Sequence, residues 1–198
     1  MSNNNFFRIA GIAGILSVVL AVVGYSATGM TSSMPSGLLF VTLTVASNLA
    51  GIIFVVGLYL LYRAEAATLS LIAVGVSVVG GLLFLIIAAF TSYDFNNPLL
   101  IIADISVYIV GLGLFTWLGY QSRKMPRALT IVGVLAGLAG LGVYVLKLGA
   151  GVDAMTTPNA PLAGVASIFY YAYFLLAFGW VLWTGYLLMS GKTKAAMA

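Results

Sequence analysis

Residues 37–91 read GLLFVTLTVASNLAGIIFVVGLYLLYRAEAATLSLIAVGVSVVGGLLFLIIAAFT, two long apolar runs broken once by charge, at Arg63-Ala64-Glu65. A helix that crosses a bilayer needs about 20 mostly apolar residues, and both runs, 37–62 and 67–91, are longer than that. Inside hydrocarbon no water can satisfy backbone N–H and C=O groups, so each run must satisfy its own by forming a helix. The charged turn between them is so short that the two helices must be antiparallel neighbours. Outward from this hairpin the pattern repeats, with apolar runs at about 7–29, 98–121, 127–149 and 162–189. The fold class expected is therefore all-α: a polytopic bundle of six transmembrane helices forming one domain over 1–198. Each break has a local cause. Met34-Pro35-Ser36-Gly37 parts the first pair, and Asp94-Phe95-Asn96-Asn97-Pro98 parts the third helix from the fourth. Pro98 and Pro126 sit at helix starts, where the missing N–H costs little. Gly149 to Pro161 is the longest connection.

Composition agrees and narrows the chemistry. The chain is 63% hydrophobic and only 6% charged, with a mean hydropathy of +1.16, against roughly 25% charged residues in soluble domains. It has no cysteine and no histidine, which removes disulfides, thiol nucleophiles and the commonest metal ligand and proton shuttle. The acids are Glu65, Asp94, Asp104 and Asp153, and no two lie at i, i+3 or i, i+4 within a span. Gly111-Leu112-Gly113 is too short and too deep to cradle a phosphate. An enzyme, a metal site and a nucleic-acid partner are not expected. The net charge of +4 is concentrated in loops beside the spans, where Arg123, Lys124 and Arg127 are placed to contact anionic lipid headgroups.

The basic residues predict orientation. Arg8, Arg63, Arg123, Lys124, Arg127, Lys192 and Lys194 are seven of the eight bases, and all fall on one side of the six spans. The opposite loops carry Asp94 and Asp153. An excess of Lys and Arg marks the cytoplasmic side, so both termini are expected in the cytoplasm. Tyr59, Tyr62, Trp117, Tyr120, Trp183 and Tyr186 fall at inner span ends, and Tyr25, Tyr93 and Tyr144 at outer ends, as interfacial belts do. The first run follows Arg8 but ends in Tyr25-Ser26-Ala27 without a clean small-x-small cleavage site, so it is expected to remain as a helix.

Helices in lipid associate through close packing of small residues and through polar contacts. Gly133 and Gly137 form a G-x-x-x-G on the fifth helix, continued by Ala136 and Gly140. Ser77/Gly81 and Ala10/Gly14 are similar pairs on the third and first. These predict packing within the chain, with a homo-oligomer through Gly133 and Gly137 as the alternative. A faint echo links Arg8…Ile12-Ala13-Gly14-Ile15-Leu16 with Arg127…Ile131-Val132-Gly133-Val134-Leu135.

Three groups of residues are candidates for function. Asp104 lies roughly 9 Å into the fourth span by helical rise, where a carboxylate costs about 2.5 kcal/mol or more without a partner. Lys147, at similar depth on the fifth span, is its expected ion-pair partner, and Tyr108 lies one turn further along the same face. Asn48, near the middle of the second span, is expected to bond across to a neighbouring helix. The last helix is dense in aromatics on more than one face: Tyr170, Phe174 and Phe178 on one stripe, Tyr173, Trp180 and Thr184 on another. Besides core packing, these faces suit a neighbouring subunit, a lipid, or a flat apolar molecule such as a quinone or carotenoid. No cofactor is specified by the residues themselves.

Two stretches carry a family resemblance. Arg8-Ile9-Ala10-Gly11 opens the first helix. Gly111-Leu112-Gly113-Leu114-Phe115…Tyr120-Gln121-Ser122-Arg123-Lys124-Met125-Pro126-Arg127-Ala128-Leu129…Gly133 ends one helix in a tyrosine and a basic turn, then opens a glycine-rich one. With Trp183…Gly185-Tyr186-Leu187-Leu188, the chain resembles a broad family of small bacterial six-helix integral membrane proteins catalogued only as a domain of unknown function. The resemblance implies a prokaryotic cytoplasmic membrane and this topology, and no activity. The expected role is non-catalytic: an accessory subunit of a membrane complex, or a bundle that binds lipid or an apolar cofactor. A transporter using Asp104 and a sensor acting through the basic loops are the alternatives.

Overall fold

The computed structural model describes residues 3–27, 38–90, 97–150 and 162–193. These form six helices: α1 Asn3–Ala27, α2 Leu38–Tyr62, α3 Ala67–Phe90, α4 Pro98–Ser122, α5 Arg127–Ala150 and α6 Ala163–Ser190. All six are long and apolar enough to cross a membrane, the architecture of a multi-pass membrane protein. The turn at Met34-Pro35, the outer loops with Tyr93, Asp94 and Asp153, the side chain of Tyr25 and the terminal Lys194 lie outside the described residues.

The helix ends follow from local chemistry. The Asn97 side chain accepts the Leu99 N–H at 3.0 Å ahead of Pro98, an N-cap joined to a proline start. At the other end α4 stops on Arg123 in the left-handed region at φ 56°, and Pro126 leads into α5. α6 ends on Gly191 at φ 67°, with Lys192 N–H donating to the Leu187 carbonyl at 3.1 Å, the Schellman arrangement that satisfies a carbonyl of the last turn.

One element departs from expectation. The fourth span is continuous but is not α-helical throughout: Ile105–Gly111 is π-helix, a wider coil that places one extra residue in its turn. α3 meets it closely here. A Cβ on Gly80 would stand 2.7 Å from Val107 Cγ2 and 2.9 Å from the Ala103 carbonyl oxygen and the Ser106 Cβ, so the π turn packs directly on the α3 backbone at this glycine.

The helices pack in chain order around a ring, α1 on α2, α2 on α3, and on to α5 on α6, and α1 against α6 closes it. The closing contact is backbone to backbone. A Cβ on Gly185 would stand 2.8 Å from the Gly11 carbonyl oxygen, and one on Gly11 would stand 2.6 Å from the Met189 nitrogen. α1 and α2 are further joined by Ser47, whose hydroxyl donates to the Ser17 carbonyl at 2.8 Å.

A ring of six helices has a centre to fill. Phe54 and Trp180 meet there edge to face at 6.4 Å, backed by buried Leu58, Phe115, Leu118 and Leu188. A second cluster of Phe40, Phe84, Ile87, Leu100 and Ala103 fills the opposite end. Outward-facing Ile12, Leu16, Ile131, Leu138 and Leu175 are exposed, which suits hydrocarbon and would be a liability in water. At the basic end, Lys124 Nζ lies 3.1 Å from Glu65 Oε1 and donates to the Leu61 carbonyl at 2.6 Å. This places the α2–α3 and α4–α5 turns at the same end of the bundle.

Candidate functional site

Above the Phe54–Trp180 contact the ring is not completely filled. A cleft of about 90 Å³ lies among α1, α2, α3, α4 and α6. Its wall is mostly apolar, with Val18, Ile52, Phe178 and Val181, and is punctuated by Ser17, Ser47, Asn48, Ser77 and Tyr108. Four of the residues named as candidates for function converge on it from three helices: Asn48 from α2, Tyr108 from the π turn of α4, and Phe178 and Trp180 from α6. Asn48 is not the interhelical bridge expected of it. Its Nδ2 donates to the Thr44 carbonyl of its own helix at 2.8 Å, and the neighbouring Ser47 makes the bond to α1 instead.

The second centre surrounds Asp104, one turn before Tyr108. Tyr144 donates its hydroxyl to Asp104 Oδ2 at 2.6 Å. Lys147, one turn along α5, attracts the same carboxylate through its charge and stands 6.0 Å from the Tyr144 ring centroid. The charge of Asp104 is also felt at the phenols of Tyr108, Tyr170 and Tyr173. Tyr108 and Tyr173 meet edge to face at 5.8 Å. Tyr170, Phe174 and Phe178 form a continuous stack along α6, with centroids 4.7 and 5.4 Å apart. Tyr173 is 2% exposed, and its hydroxyl has no hydrogen-bond partner among the described residues. Tyr108 belongs to both centres, since its ring also forms part of the cleft wall.

Sequence reasoning placed Tyr144 in an interfacial belt, whereas it is 7% exposed and is the hydrogen-bond partner of Asp104. The signal was available: Tyr144 lies at i−3 from Lys147, the residue already expected to meet Asp104. The π turn, which packs against Gly80 of α3, was not expected from the sequence. Gly133 and Gly137 do not share one contact. A Cβ on Gly133 would stand 2.8 Å from Thr116 Cγ2 and 2.9 Å from Trp180 Nε1, whereas nothing lies within 4 Å of one on Gly137. The intrachain surface of α5 runs through Gly133, Ala136 and Gly140 instead. Arg123 and Arg127 are exposed at the basic end, while Lys124 is engaged with Glu65 and Leu61.

No family model, no curated protein and no solved structure matches this chain.

Proposed function

We propose that this chain is a non-catalytic membrane protein that holds the slender apolar chain of a lipid-like molecule in its interior cleft. In this reading it lies in a prokaryotic cytoplasmic membrane with both termini in the cytoplasm, an orientation supported by the seven bases on one side of the spans. The observation that carries the reading is the cleft itself. In a bundle whose helices touch at glycine, five helices leave a common space lined by apolar groups and a few polar ones, the usual character of a small-molecule site. Size selects the occupant. An apolar cavity of about 150 Å³ accommodates benzene, so about 90 Å³ leaves no room for a quinone ring and takes only a short stretch of an acyl or isoprenoid chain, the rest of which lies outside the cleft. The Phe54–Trp180 and Tyr62–Phe115 contacts fill the ring toward the basic end, which favours binding over passage through the bundle.

The test is extraction in mild detergent followed by native mass spectrometry and lipid analysis. Gly51 supplies the matched control. It lines the cleft, and nothing stands within 4 Å of a Cβ placed there, so the Cβ of Gly51→Leu enters open space. The expected result is a retained chain-bearing molecule in the wild type, with occupancy reduced about tenfold in Gly51→Leu. A wild-type protein that stays empty when reconstituted with native lipid extract, or equal occupancy in both proteins, would overturn the reading.

A further inference from the structure

The polar residues on the cleft wall have already spent most of their donors. Ser17 donates its hydroxyl to the Gly14 carbonyl at 2.8 Å, and Ser47 donates its own to the Ser17 carbonyl at 2.8 Å. Asn48 gives one Nδ2–H to the Thr44 carbonyl at 2.8 Å, which also fixes the sense of the amide, because its oxygen could not bond there. A hydroxyl has one donor, so Ser17 and Ser47 have only acceptor capacity left, and Asn48 keeps Oδ1 and its second N–H. These three residues form the polar part of the α1–α2 wall. The other two polar residues, Ser77 on α3 and Tyr108 on α4, carry hydroxyls that can donate or accept. Among the described residues no lysine, arginine, aspartate or glutamate lines the cleft.

This inventory selects a ligand. A charged head would lie within the spans without a counter-charge, which is costly. A hydrocarbon end would leave the wall oxygens without partners. A carbonyl or ether oxygen only accepts, and would face a wall that mostly accepts. A hydroxyl fits both needs: it donates to the α1–α2 wall and accepts from Asn48, Ser77 or Tyr108.

We propose that the cleft binds the free hydroxyl at the end of a long-chain alcohol, fatty or isoprenoid, with Ser17, Ser47 and Asn48 as the acceptors of its O–H. The proposal rests on the cleft reading above and says which part of the molecule enters. The hydroxyl and the first few carbons take up the space of about 90 Å³, against Val18, Ile52 and Val181, and the remaining chain lies outside.

The experiment uses the full chain carrying Trp117→Phe and Trp183→Phe, both at exposed positions. Of three tryptophans this leaves Trp180, on the cleft wall, as the reporter. The protein is titrated in nanodiscs of phosphatidylcholine, a lipid without a free hydroxyl, with octanol and with heptyl methyl ether. The ether has the same number of heavy atoms and cannot donate, and empty nanodiscs correct for partition into lipid. Octanol should change Trp180 fluorescence at about tenfold lower concentration than the ether, the scale of one net hydrogen bond. Ser17→Ala and Asn48→Leu each remove a side-chain bond made within one helix, so both should fold. Each should lower the preference several-fold and the pair together should abolish it, with ether binding unchanged. Gly51→Leu should weaken both probes alike. Equal binding of the two probes with both lost in Gly51→Leu overturns the hydroxyl site and leaves the cleft standing, as does a full preference that survives in the Ser17→Ala, Asn48→Leu protein. If neither probe binds, both proposals are overturned.

Discussion

The α1–α6 seam can be tested at a single carbon atom. Gly11→Ala adds a Cβ that would stand 2.6 Å from the Met189 nitrogen and closer still to the Gly185 carbonyl oxygen, whereas ordinary contact begins at 3.4 Å. Both neighbours are backbone atoms and cannot rotate away, so the seam must open by more than about 0.8 Å. A gap of 0.5–1 Å forfeits roughly a quarter to a half of each dispersion contact across it, and overpacking of this kind costs about 1–3 kcal/mol. Replacing a helical glycine by alanine works in the other direction, by up to about 1 kcal/mol. Gly137→Ala isolates that second effect, because nothing lies within 4 Å of its Cβ. Gly11→Ala should therefore destabilise the protein by about 1 kcal/mol while Gly137→Ala leaves it unchanged or slightly more stable. The difference between the two, about 2 kcal/mol, is roughly thirtyfold in the folded-to-unfolded ratio. Unfolding by dodecyl sulfate in mixed micelles, followed by tryptophan fluorescence, measures both. If Gly11→Ala proves as stable as Gly137→Ala, the close crossing of α1 and α6 is refuted.

The same titration checks three further expectations. Tyr144→Phe removes a hydrogen bond to a charged acceptor and should cost about 1.5–3 kcal/mol. In an Asp104→Asn background it should cost much less, since coupled residues do not add. Arg123→Gly should stabilise by about 0.5–1 kcal/mol, because glycine adopts the φ of 56° that arginine holds at a cost; a loss of stability would show that the arginine side chain does more than end α4. At the basic end, Glu65 is 45% exposed, so Glu65→Gln should change stability by less than about 0.5 kcal/mol. Lys124→Met also loses the bond to the Leu61 carbonyl and should cost about 1 kcal/mol; equal effects would mean that the carbonyl contact contributes nothing.

The spans were legible because their cause is local. Apolar length and the turn chemistry at Arg63-Ala64-Glu65, Asn97-Pro98 and Arg123…Pro126 act through the few residues around them, and the helix limits in the structure agree to within a few positions. The α1 start differs most, at Asn3 where the apolar run begins near residue 7, because apolar length marks where a span lies in hydrocarbon and not where its helix ends. The site was legible only in pieces. Asp104 and Lys147 stood out as charges in apolar runs, but a tyrosine is at home in an interface, a core or a polar cluster, so Tyr144 gave no unique reading. Asn48 is similar: an amide needs a partner, and sequence cannot say whether Thr44 in its own helix or a neighbouring helix supplies it. Gly133 and Gly137 share a motif, but the rotation of α5 against α4 and α6 buries one and leaves the other open. Rotations of this kind, and the packing of the π turn on Gly80, depend on contacts between helices distant in sequence.

The closed ring bears on how the protein is made. The first and sixth spans form its seam, so α1 waits with its Gly11 face unpaired until α6 has been synthesised and inserted. Asp104 waits as well. Its hydrogen-bond donor arrives with α5 and two of the phenols that feel its charge with α6, so a nascent chain of four spans carries a carboxylate without its companions in or near the bilayer. Such a chain presents an unshielded acid and the open Gly11 face of α1 to its surroundings until the last two spans arrive.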